Sequence, residues 1–216
     1  MSEIFIKAYP SPPVCDRGIL RYAGVKGDAD EQTLALMNGL KAEIADKLSY
    51  KVCYRVLPVK TQGDICDFSV FSVQSKALTN QLHGCKQAVV FAATLGVEID
   101  RAILKYSKIS PVKALFLQAI GTERIESLCN AFCAEFPFAT ARFSPGYADL
   151  PLQAQTEIFA LLDCERKIGL TLTESLLMSP TKSVTAFVGI ADKACVRTGT
   201  ECSTCAKIDC AFRSEK

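Results

Sequence analysis

Residues 86–135 read KQAVVFAATLGVEIDRAILKYSKISPVKALFLQAIGTERIESLCNAFCAE. The opening run, 86–94, is short, apolar and closed by Gly96, the pattern of a buried central strand entering a tight turn. A helix is predicted from Glu98 to Lys105. Ser110 then stands at an N-cap position and Pro111 at the first helical position, where a missing N–H costs nothing. From there a long helix runs to about Glu135, with Leu115, Ala119, Thr122, Ile125, Cys129 and Cys133 on its stripe. Gly121 would let another backbone approach this helix closely.

Working outward, Asp28 and Glu31 have the spacing of a capping box, and Leu34, Met37, Leu40, Ile44 and Leu48 recur every three or four residues. That predicts an amphipathic helix over 30–48. Strand-like stretches follow at Lys51–Val59 and Asp64–Val73, joined by a polar turn at Thr61–Asp64 and therefore read as an antiparallel pair. A short helix is predicted over Lys76–Leu82. Beyond Pro137, a helix from about Gln153 to Lys167 stops at Gly169, and Ser183–Ile190 (SVTAFVGI) is the final strand. Strands and helices come in irregular order, which selects an α+β fold over a regular βαβ wind.

At 216 residues, 49% of them hydrophobic, the chain can bury one core and is short for two ordinary domains. The expected division is one domain over residues 1–194 and a cysteine-rich tail over 195–216. A net charge of +2 with no basic run excludes a phosphate-tracking stripe, so nucleic acid is not an expected partner. The first residues lack the basic and apolar regions of a targeting peptide, and no apolar run is long enough to span a bilayer. Cys53, Cys66, Cys85, Cys129, Cys133 and Cys164 all fall in apolar or periodic segments, where a reduced thiol packs as a small hydrophobe. A reducing, cytoplasmic setting is the expectation. The single histidine, His83, permits neither a serine triad nor a histidine-rich metal site.

The segment Arg142-Phe143-Ser144-Pro145-Gly146-Tyr147 carries the chemistry. Pro145 fixes φ and Gly146 accepts positive φ, the requirement of a type II turn. Arg142 adds a planar two-pronged donor suited to a carboxylate, and Tyr147 an aromatic face with a hydroxyl. These parts suit a zwitterionic, partly aromatic small molecule. They are equally those of an ordinary Pro-Gly turn beside a surface ion pair.

RFSPGY, then DLP, a helix bearing IFALLD, IGLTLTES and SVTAFVGI together resemble the activation domain of cobalamin-dependent methionine synthase and its shorter stand-alone relatives. GCKQAVVFAATLG and AIGTERIE resemble the stand-alone forms. The resemblance implies a C-shaped single α+β domain with a twisted antiparallel sheet and flanking helices. It implies that S-adenosylmethionine binds in a shallow groove facing a corrinoid. Arg142 would then contact the methionine carboxylate, Ser144 the ligand through its backbone, and Gly146 would shape the turn. Tyr147 would lie near the corrinoid face. Glu126 would complement the ligand's ammonium or sulfonium, with Glu123 one turn away as the competing assignment. Glu174 and Ser175 would shape the fold. The family has proline and cysteine after its tyrosine where this chain has Ala148-Asp149-Leu150-Pro151, and its tyrosine-rich extension is absent here.

The implied function is reactivation. The cobalamin is carried by a partner, a methionine synthase or another corrinoid protein; an electron donor such as a flavodoxin or ferredoxin reduces it, and S-adenosylmethionine supplies the methyl group. No residue of this chain is assigned a catalytic role. Cys195, Cys202, Cys205 and Cys210 form C-x6-C-x2-C-x4-C, a window that can surround one metal centre with four thiolates. A [4Fe–4S] cluster suits one-electron corrinoid chemistry and zinc suits a structural clip, so an iron–sulfur redox protein is the alternative reading. On that alternative, anaerobically purified protein should contain iron and acid-labile sulfide; zinc, or no metal, would count against it.

Overall fold

The computed structural model describes residues 3–191. Its centre is a four-stranded antiparallel sheet in the order β1 (Phe5–Ala8), β2 (Lys51–Pro58), β6 (Gln87–Thr94), β9 (Ser183–Ile190). Between these strands the chain forms α1 (Asp16–Tyr22), α2 (Glu31–Ile44) with a 3-10 turn at Ala45–Lys47, and a small sheet of β3 (Lys60–Gln62), β4 (Ile65–Asp67) and β5 (Ser72–Gln74). The helices α3 (Lys76–Gln81), α4 (Glu98–Ile109), α5 (Pro111–Cys133), α6 (Ala154–Leu162) and α7 (Cys164–Ile168) follow, with a β7 (Thr171–Leu172) and β8 (Met178–Ser179) ribbon before β9. The α+β class read from the sequence is the observed one. The division at residue 194 and the four cysteines Cys195, Cys202, Cys205 and Cys210 lie outside the described residues.

Period-two alternation divides the sheet between two cores. Val52, Val89, Phe91, Ala93, Ala186 and Val188 face α1, α2, α4 and α5. Cys53, Leu57, Ala88, Val90, Ala92 and Phe187 face α6, α7 and the small sheet. The apolar run 86–94 thus becomes β6 because it is covered on both sides, pairing with β2 along one edge and β9 along the other. Aromatic rings lock α5 to the sheet: the Phe91 and Phe132 centroids are 4.8 Å apart. Full burial of each such ring contributes roughly 1.5–3 kcal/mol.

Several expectations need correction. The cap of α2 is Asp30, whose carboxylate accepts from Thr33 N–H at 2.7 Å, so the capping position lies two residues beyond Asp28. The Gln62-Gly63-Asp64 turn does form a hairpin, but it joins β3 to β4. Lys51–Pro58 pairs with β1 and β6 because both of its faces are apolar enough to need a layer on each side. The helix expected over 153–167 is two helices, broken at Asp163 in the left-handed region (φ 49°), a conformation that aspartate tolerates. Gly169 ends α7 as expected, with φ 70°.

On α5 the buried face is wider than the expected stripe. Leu115 is 48% exposed, whereas Phe116, Leu117, Ile120, Leu128 and Phe132 are buried. The helix is flanked by the sheet on one side and by α1, α2 and α4 on others. Gly121 admits side chains and not a backbone: a β-carbon there would stand 3.0 Å from Ile99 Cγ1 and Lys182 Cγ. Of the six cysteines expected to pack as apolar groups, five are buried and Cys133 is half-buried, all as free thiols.

A buried charged pair on α5 had no signal in the sequence. Arg124, 3% exposed, donates to Tyr50 Oη (3.0 Å), Ser11 Oγ (3.1 Å) and the carbonyls of Pro12 and Pro13, and stacks on the Tyr50 ring. Glu123 accepts from Cys15 N–H (2.9 Å) and Ser127 Oγ (2.6 Å) and lies 3.6 Å from Arg124. Together they hold the segment 11–15, which carries no strand or helix of its own. Removing one partner leaves the other charge buried, at a cost of about 3–5 kcal/mol. Arg124→Met should therefore lower the urea unfolding free energy by that amount, with exposure of the N-terminal segment to limited proteolysis.

Candidate functional site

From Ala139 to Phe143 the chain runs beside the outer edge of β9. Thr140 N–H donates to Gly189 O, and Phe143 and Phe187 exchange both backbone hydrogen bonds (3.0 and 2.9 Å). Side chains alternate along this segment as in a strand. Phe143 packs into the core beneath α6, and Arg142 turns the opposite way, towards α5.

There Arg142 meets two residues one helical turn apart. Its Nη2 lies 2.6 Å from Glu126 Oε2, and its Nη1 donates to Asn130 Oδ1 at 2.7 Å. Residues 126 and 130 share a face by the i, i+4 rule. The guanidinium is thus committed to α5 through Glu126 and Asn130, with the Cys133 thiol also within hydrogen-bonding reach, and its five N–H groups exceed these partners. The Arg142 side chain is only 22% exposed. Burial works against its charge, but its neighbours on α5, the Glu126 carboxylate among them, outweigh that effect and raise its pKa. The Cys129 and Cys133 thiols are themselves pushed up by burial, with Arg142 opposing, and stay protonated. A charged, partly desolvated fork beside a carboxylate can receive a molecule carrying both a carboxylate and a cationic group.

The structure separates the two glutamates that the sequence left in competition. Glu123 is buried against Cys15 and Arg124, whereas Glu126 is half-buried and paired with Arg142. Asn130 was not singled out from the sequence, although its spacing of four from Glu126 was the available signal.

The turn follows the expectation: Tyr147 N–H donates to Ser144 O (3.1 Å) and Gly146 has φ 84°, as type II requires. Tyr147 is 70% exposed, with its ring edge-on to Phe143 at 6.2 Å between centroids. Where the chain departs from the family after Tyr147, Asp149 supplies an anchor. Its carboxylate accepts from Ser75 Oγ and from the N–H groups of Lys76 (2.7 Å) and Ala77 (3.2 Å), completing the cap of α3. Ser75, the α3 N-cap, itself accepts from Leu78 N–H. Leu150 fills the core below. The turn 144–150 is thereby tied to the far layer of the protein through one carboxylate. His83 is exposed and far in sequence order from any site contact, and Glu174 and Ser175 lie in the exposed β7–β8 loop. A concavity over the small sheet, lined by Lys60, Ile65, Asp67 and Val70, holds none of the site residues.

The Asp149 pKa is lowered from 3.8, first by the Ser75 hydrogen bond and then by the Lys76 and Ala77 amides. A lowered carboxylate pKa gives stability that is present above the unfolded value and lost as pH falls through the folded one. Asp149→Asn should therefore be less stable than the parent at pH 7, and the difference should shrink as pH falls below 3.8 through the lowered folded value. Thermal unfolding of both proteins across that pH range measures this.

Residues 113–197 match the family model described as the vitamin B12 dependent methionine synthase activation domain, a span that includes α5, the Arg142–Tyr147 segment and β9. The crystal structure of the MetH reactivation domain bound to AdoHcy superimposes with a TM-score of 0.65 at 15% identity, covering 87% of this chain and 78% of that one. No curated protein matches the sequence. Among the described residues no helix is long and apolar enough to cross a membrane, and no cluster of acidic, cysteine or histidine side chains could hold a metal. In sequence over residues 113–197, and in fold along most of its length, the chain is similar to the activation domain of vitamin B12 dependent methionine synthase.

Proposed function

We propose that this protein binds S-adenosylmethionine between α5 and the Arg142–Tyr147 segment, and that it supports reductive methylation of cob(II)alamin carried by a methionine synthase or a related corrinoid methyltransferase. The observation that carries this reading is the convergence of Arg142 and Glu126, 2.6 Å apart, from two separate elements. The guanidinium complements the ligand's carboxylate, and the glutamate its ammonium or sulfonium. Ser144, at the start of the rigid turn, offers backbone groups, and Gly146 keeps the turn narrow. The exposed Tyr147 ring presents a flat aromatic face towards a partner. AdoHcy, which the similar reactivation domain carries, is the product left when S-adenosylmethionine loses its methyl group.

In the proposed reaction, one electron from a flavodoxin or ferredoxin reduces the partner's cobalt, and the methyl group passes to it from S-adenosylmethionine. This chain binds and orients the methyl donor; the corrinoid supplies the chemistry. The buried free thiols suit a cytoplasmic setting, where they stay reduced.

Calorimetry should show S-adenosylmethionine binding to the parent protein and weaker binding by Arg142→Ala. A charge-assisted hydrogen bond contributes about 1.5–3 kcal/mol, so the loss should be roughly tenfold to a hundredfold. Unchanged affinity in the variant would remove Arg142 from the site.

A further inference from the structure

Lys182 precedes β9 and occupies the same side of the sheet as Val184 and Ala186, the side facing α5. Its stem lies over Gly121, and its ammonium donates to Thr122 Oγ1 at 3.0 Å. Its backbone is pinned on both sides, by Leu95 N–H to its own carbonyl and by Asp100, which accepts from Thr181 N–H at 2.7 Å. Thr122 stands one turn before Glu126 on α5, and Asn130 one turn after it. Lys182, Glu126 and Arg142 thus line one strip of the helix, about 12 Å long from Thr122 to Asn130. Half-buried Val184 lies on β9 between the two cations.

One end of the strip is closed by the chain itself. Beside the C-terminal half of β9, residues 139–143 bridge to Gly189, Ile190 and Phe187. A ligand whose amino-acid end sits at Arg142 and Glu126 and whose remainder follows α5 away from that bridge runs towards Lys182. The rest of an S-adenosyl ligand has hydroxyls and ring nitrogens but no negative charge, so it needs donors. The Lys182 ammonium has three, and Thr122 takes one of them among the described residues.

Resting on the binding reading above, we infer that Lys182 is a ligand-binding residue for the adenosyl end of the bound molecule, donating to its ribose hydroxyls or purine nitrogens. Burial lowers the pKa of Lys182, with Asp100 partly opposing. An ammonium already stripped of part of its water gives up less solvation when a ligand covers it.

The test uses two probes, S-adenosylmethionine and 5′-methylthioadenosine; the second keeps the adenosyl part and lacks both amino-acid charges. Lys182→Met preserves the stem over Gly121 and removes the donor. It should bind both probes about five- to twentyfold more weakly than the parent, with Lys182→Arg recovering most of the loss. Arg142→Ala should weaken S-adenosylmethionine alone. Equal affinities of Lys182→Met and parent for both probes would overturn the inference, as would a loss confined to S-adenosylmethionine. If the parent binds neither probe, the binding reading itself fails and this inference falls with it.

Discussion

The rotation of α5 about its own axis is the constraint on which the site depends, and Arg124 fixes it. Its buried guanidinium is held by Tyr50, Ser11, Pro12 and Pro13 at once, and Glu123 beside it takes the Cys15 amide. Neither group can leave without abandoning a desolvated charge. Residues advance about 100° each around a helix, so Glu126 points roughly 200° away from Arg124, out of the core and towards the β9 edge. A single buried ion pair therefore ties down the irregular N-terminal segment and aims the carboxylate that meets Arg142.

The two arginines differ in how completely burial commits them. Arg124 spends its donors on fixed acceptors inside the protein and has no access to solvent. Arg142 has its partners, Glu126, Asn130 and Cys133, all on α5, and stands at a partly open position. The Glu126–Arg142 pair is half-buried, with the carboxylate the more open partner. It fixes the guanidinium plane in advance, which under the proposed binding role limits the ordering cost of binding. The turn at Pro145-Gly146 adds rigidity on the other side, and Asp149 anchors that turn to α3.

Local signals in the sequence were read correctly where one face or one dihedral decides the outcome. The strand at 86–94, the long helix from Pro111, the glycine stop at 169, the last strand and the Pro-Gly turn all follow from periodicity or from a required φ. Strand pairing did not follow, because Lys51–Pro58 can pair with any extended neighbour and only burial of both its faces selects β1 and β6. The break at Asp163 was hidden, since a single left-handed residue leaves the apolar spacing on either side nearly intact.

The sequence by itself determined the chemical vocabulary of the site: an arginine, a rigid turn, a tyrosine and a helical glutamate, in an order resembling one family. Tertiary structure decided which glutamate meets Arg142. Glu123 and Glu126 are neighbours on one helix with similar local sequence, and they differ only in what the helix packs against. It also brought Asn130 and Lys182 to the same strip as Arg142, through contacts spanning 12 and 60 residues of chain. Long-range juxtaposition of this kind leaves no local pattern, because it is fixed by burial of the α5 core face and by the register of β9 against β6.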